Sequence, residues 1–109
     1  MPTAIGRSYN ENALDFSTVG DNTIVAGVSG LNVRVHRIFF VVSGSVVVTF
    51  KDGSGALTGP MTFLANSTFV LDDTNTIPWF TTAVGTGFII NLSTSVQVSG
   101  RVYYHQDVQ

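Results

Sequence analysis

The strongest constraint on this chain is its punctuation. Turn signals recur at Gly20-Asp21-Asn22, Ser29-Gly30, Ser43-Gly44-Ser45, Asp52-Gly53-Ser54-Gly55, Ala65-Asn66-Ser67, Asp72 to Asn75, Val84-Gly85-Thr86-Gly87, Ser93 to Ser95 and Gly100. The stretches between them are rich in Val, Thr, Phe and Ile, and a spacing of roughly 8–12 residues is the mark of antiparallel strands in a sandwich or barrel. Helix formers are sparse, and only residues 11–16 offer room for a short helical turn. The expected fold is an all-β, jelly-roll-like antiparallel sandwich of about eight strands. These are drawn from segments 14–18, 23–28, 31–42, 45–51, 56–64, 67–71, 79–82, 88–92 and 96–105. At 109 residues the chain is one domain.

Several segments alternate with period two, which sends one set of side chains inward and the other outward. Val46, Val48 and Phe50 oppose Val47, Thr49 and Lys51; Phe88, Ile90 and Leu92 oppose Ile89 and Asn91. Val96, Val98, Val102 and Tyr104 oppose Gln97, Ser99, Arg101, Tyr103 and His105. Segment 31–42 breaks phase. Val33 and Val35 share a face, His36-Arg37 intervene, and Ile38-Phe39-Phe40-Val41-Val42 is apolar on both sides. A bulge near His36 accounts for the shift. The second half is then expected to be buried on one side by the opposing sheet and on the other by a neighbouring subunit.

Residues 1–12 are polar, with Pro2, Gly6, Arg7, Tyr9, Asn10 and Asn12, and read as an extended N-terminal arm to a sandwich domain spanning 13–109. The arm is either disordered or ordered on a neighbouring subunit. Its first residues lack the apolar stretch of a secretory signal, so the mature protein is expected to begin at or near Met1.

Charge is scarce. Five Lys+Arg stand against seven Asp+Glu, and 11% of residues are charged where about 25% is usual. Five basic residues give no footprint for nucleic acid, and no run of 18 apolar residues offers a membrane span. A 44% apolar chain with so little charge implies that other subunits cover part of its surface. The alternative is a monomer with an uncharged Thr/Ser-rich exterior.

Chemistry-bearing groups are thinly spread. There is no cysteine, and with two histidines a structural zinc site is not expected. No G-x-S-x-G elbow accompanies His36 and His105, so a hydrolytic triad is not expected; His36 reads as a bulge marker and His105 as an outer-face residue. Asp72-Asp73-Thr74-Asn75 and Asp21-Asn22 offer carboxylates for calcium, but Asx residues are ordinary turn formers. Trp79, Phe80, Tyr9, Tyr103 and Tyr104 are the candidates for a sugar-stacking platform. Trp79 equally suits a plug at the end of the sandwich or an interface. The candidate partner-binding residues are Arg7, Tyr9, Arg34, Arg37, Phe39, Val41, Trp79, Arg101 and Tyr103. No catalytic residue, metal, cofactor or small-molecule substrate is assigned, and the chain is read as a non-enzyme.

The sequence also resembles a family. Asn22-Thr23-Ile24-Val25-Ala26, Val33-Arg34-Val35, Leu57-Thr58-Gly59-Pro60-Met61, Pro78-Trp79-Phe80-Thr81-Thr82-Ala83-Val84-Gly85, Ile90-Asn91-Leu92-Ser93 and Val96-Gln97-Val98-Ser99-Gly100 look like the small β-sandwich virion proteins of tailed bacteriophages. Capsid decoration, or cement, proteins are the best-known members. The resemblance covers about residues 20–105 and rests on strand-and-turn pattern. It implies a homodimer or homotrimer on the outer surface of the capsid, made in the host cytoplasm, bridging major capsid protein subunits and often using an N-terminal arm. A receptor- or carbohydrate-binding module of a tail spike or fibre is the alternative. A cupin-like enzyme on the same fold is a third reading, which two histidines do not support.

Overall fold

The computed structural model describes residues 9–72 and 77–108. Among them every regular element is a strand: β1 (Asn10–Phe16), β2 (Gly20–Val25), β3 (Leu31–Val42), β4 (Val46–Asp52), β5 (Gly55–Ala56), β6 (Met61–Phe63), β7 (Thr68–Leu71), β8 (Phe80–Thr81), β9 (Phe88–Leu92) and β10 (Val98–Val108). They form two antiparallel sheets packed face to face. Sheet A runs β1-β10-β3-β7, with β8 also on β3. Sheet B runs β2-β9-β4-β5, with β6 also on β4. The chain is a β-sandwich, as the punctuation predicts.

Boundaries moved where tertiary pairing overrode local signals. Residues 11–16 form no helical turn. β1 starts at Asn10 because its backbone pairs along β10, from Asn10 opposite Tyr104 to Phe16 opposite Val98. Asn10 to Asn12 therefore belong to the sandwich, whereas residues 1–8 of the expected arm, Arg7 included, lie outside the described residues. Gly20-Asp21-Asn22 is strand rather than turn because β9 pairs with it, and the chain reverses at 17–19 instead. Segment 56–64 splits into β5 and β6, both on β4, and β10 continues three residues past its expected end to match β3.

β3 shows the phase break as a bulge. Tyr103 pairs with Arg37 and Tyr104 with Val35, so His36 is the extra residue. Val33 and Val35 before it, and Ile38, Phe40 and Val42 after it, all point inward.

The core is aromatic. Phe40 of sheet A meets Phe50 and Phe63 of sheet B at centroid distances of 6.2 and 5.7 Å, and Phe50 meets Phe80 at 5.1 Å. Each fully buried Phe contributes about 1.5–3 kcal/mol by leaving water. Gly100 faces this core opposite Phe40. A Cβ there would run into the Phe39 carbonyl, so glycine lets β10 lie close against β3.

One buried carboxylate ties the sheets at one end. Asp52, last residue of β4, accepts the Ser54 and Gly55 amides at 2.8 and 3.0 Å and the Ala83 amide at 2.9 Å. Burial alone would raise its pKa. These backbone N–H groups, together with the amide of Asp52 itself, outweigh burial and hold it below the usual value.

Candidate partner-binding face

The outer face of sheet A gathers most of the residues singled out from sequence. Pairing sets them in rows across the strands: Glu11, Tyr103 and Arg37; then Ala13, Arg101, Phe39 and Val70; then Asp15, Ser99, Val41 and Thr68. Phe39 is half-buried, while Val41 and Val70 are 41% and 51% exposed. The strand pleat creates this arrangement, since every residue here alternates with an inward one. The expected double burial of β3's second half is thus met on its inner side only; within this chain the outer side is open.

Two of the charges bordering the apolar stripe, Arg101 and Arg37, are paired within the chain, whereas Asp15 accepts a hydrogen bond from Gln97 Nε2 at 2.7 Å. Arg101 Nη1 donates to Glu11 Oε1 at 2.8 Å. Arg37 Nε lies 3.8 Å from Asp72 Oδ1, and its guanidinium carbon sits 5.5 Å from the Tyr103 ring centroid. Such exposed pairs contribute about 0–1 kcal/mol to stability. Their consequence here is electrical, because they neutralise the Arg37 and Arg101 margins of the stripe.

At one end of the face lies an aromatic cluster. Tyr9 stacks on His105 at 4.5 Å and approaches His36 at 5.2 Å, and the two imidazoles are 5.0 Å apart. His105 occupies an outer-face register position opposite Arg34, yet it is buried, as is His36. The histidines are packing residues of the face, set there by the bulge.

Trp79 lies beyond β7 on the same edge. Its amide donates to the Val35 carbonyl at 2.8 Å, and its indole N–H donates to the Asp72 carbonyl. Trp79 stays 44% exposed, so it does not plug the end of the sandwich.

The candidate cation ligands are occupied otherwise. Asp21 accepts both Lys51 Nζ at 3.1 Å and Asn91 Nδ2 at 2.7 Å. The Asn91 bond first, and Lys51 second, hold the Asp21 pKa below its usual value. Asn22, a strand residue of β2, donates to the Thr18, Gly20 and Ile90 carbonyls, bracing the reversal at 17–19 from the strand that follows it. Asp73 and Asn75 lie outside the described residues. Among the described residues no three His, Cys, Asp or Glu side chains converge, and no pocket indents the surface.

Sequence reasoning missed Ala13, Thr68 and Val70, which complete the stripe. Thr68-Phe69-Val70-Leu71 alternates, so Val70 is readable as outward, but only the pairing of β7 with β3 sets it beside Phe39.

A comparison with protein-family models, characterised proteins and solved structures found no match.

Proposed function

We propose that the chain is a virion structural protein of a tailed bacteriophage, a decoration protein that binds the outer capsid surface and bridges major capsid protein subunits as a homo-oligomer. It acts by contact, not catalysis. The observation that carries this reading is the outer face of sheet A, where the half-buried Phe39 and the exposed Val41 and Val70 form an apolar stripe whose neighbours Arg37 and Arg101 are paired with carboxylates within the chain. Apolar stripes with Tyr and Arg at their margins are the composition of protein interfaces. A rigid sandwich carrying such a face stabilises a shell by mass action, since it binds only the assembled state. The phage-like strand-and-turn text from residue 20 to 105 supplies the partner.

The test is co-sedimentation of the purified protein with phage heads that lack it. Saturable binding at a fixed ratio to capsid subunits is expected. A protein that stays in the supernatant at all concentrations overturns the reading and turns attention to glycans and the tail.

A further inference from the structure

Trp79 is tethered and still open. Its backbone amide donates to the Val35 carbonyl at 2.8 Å, and its indole N–H donates to the Asp72 carbonyl. These bonds fix the residue at both ends, yet it stays 44% exposed. Most of a tryptophan's surface is indole, so this exposure leaves apolar ring area in water while the polar N–H is satisfied.

Two polar groups stand beside it. Asp72 follows Leu71 out of β7 and lies next to Arg37 of β3, and their side chains are 79% and 46% exposed. Arg37 Nε and Asp72 Oδ1 are 3.8 Å apart, beyond hydrogen-bond reach. The pair meets as charges and keeps carboxylate lone pairs and guanidinium N–H groups for a ligand. Tyr103 backs the guanidinium from β10, its ring centroid 5.5 Å away. Trp79, Asp72, Arg37 and Tyr103 thus form one continuous line at the edge of sheet A. With strands about 4.8 Å apart, Asp72, Arg37 and Tyr103 span roughly 10 Å, the length of a short oligosaccharide.

We propose that this line binds a neutral oligosaccharide, with Trp79 as the stacking platform and Asp72 and Arg37 as the hydroxyl-binding pair. This goes beyond the proposed function, because the site lies at the margin of the apolar stripe and takes a second kind of ligand. A pyranose ring has an apolar C–H face, which an indole covers, and a rim of hydroxyls that both donate and accept. The carboxylate accepts from such hydroxyls and the guanidinium donates to them, in charge-assisted bonds stronger than neutral ones. The opposite charges also set the charge of the ligand. An anionic sugar would meet Asp72 and a cationic one Arg37, so a neutral chain fits. The stripe offers the apolar core that a protein partner needs, whereas the Trp79 line has charge at its centre, where protein interfaces are depleted of it. No pocket indents the described surface, so little of the saccharide is buried and a Kd of roughly 1 mM is expected.

Trp79 is the chain's single tryptophan, so its fluorescence reports this site alone. Titration with maltotetraose, cellotetraose and chitotetraose is expected to give a saturable emission change with at least one of them. Followed by ligand-observed NMR, binding of that saccharide is expected to vanish in W79A and to weaken by about threefold or more in D72N, with the wild-type melting curve kept in both. V41D, two rows away on the same face, is expected to bind it as the wild type does. No saturable response to any of the three overturns the inference. So does binding unchanged in either W79A or D72N, and so does its loss in V41D, which would put the sugar on the stripe. These measurements use no phage heads. A protein that binds saccharide but not heads removes the decoration reading alone, and one that binds heads but no saccharide removes this site alone.

Discussion

The two outer faces of the sandwich obey the same alternation and end up with different surfaces. On sheet A the outward residues of the middle strands include Phe39, Val41, Arg101 and Tyr103, with Val70 beside them on β7. On sheet B they are Asp21 and Thr23 of β2, Ile89 and Asn91 of β9, and Val47, Thr49 and Lys51 of β4. Sheet B covers its two apolar positions to half-burial and stitches its strands with the Lys51–Asp21–Asn91 cluster. Sheet A leaves Val41 and Val70 open and pairs Arg37 and Arg101 with carboxylates at the margins. A scarcity of charge over the whole chain thus has a local form. The face that resembles an interface is the one where exposed valines, Val41 and Val70, stand among the outward positions.

The largest effect should erase the contrast by removing what both faces share. Phe50 touches rings from both sheets, so Phe50→Ala is expected to cost about 3–5 kcal/mol in chemical denaturation. Stability of sheet B retained with sheet A lost, read by hydrogen exchange, would show two independent halves and not one core. Next is Asp52→Asn, which weakens the tie between the β4–β5 hairpin and the Ala83 segment by about 1–3 kcal/mol at neutral pH. Because the folded pKa lies below the usual 3.8, the carboxylate's contribution is complete above that value and disappears as pH falls through the folded pKa. The gap between wild type and variant should therefore close in acid; a gap constant down to the lowest pH at which the fold survives would show that its charge contributes nothing. The smallest change in stability, and the sharpest test of the two faces, is a matched pair of exposed substitutions. Val41→Asp on sheet A and Thr23→Asp on sheet B should each move stability by no more than about 0.5 kcal/mol. Only Val41→Asp should abolish co-sedimentation with heads, and equal loss from both would deny sheet A any special role.

Much of the architecture was legible before folding was considered. β3 and β9 fall where their segments were drawn, and the bulge at His36 follows from one extra residue between two runs of alternation. Alternation is a local property, so it survives in one dimension. Strand ends were less legible. β1 begins inside the segment expected as an arm because β10 offers it a partner 90 residues away, as Glu11 opposite Tyr103 and bonded to Arg101 illustrates.

The candidate face divides the same way. Arg37, Phe39, Val41, Arg101 and Tyr103 are all candidates by residue type, and alternation sets Arg101 and Tyr103 on one face, yet nothing in the sequence joins that pair to Arg37, Phe39 and Val41. Register does: it sets Phe39 between Arg101 and Val70, and Arg37 beside Tyr103. The aromatic cluster of Tyr9, His36 and His105 is equally a product of register. The sequence by itself determined the all-β class, the inward and outward sets of most strands and the shortage of charge, because periodicity and composition act over a few residues at a time. Which outward sets became neighbours, which charges were matched and which strand was left at the edge were decided only by the tertiary structure, because antiparallel pairing joins residues that are far apart along the chain.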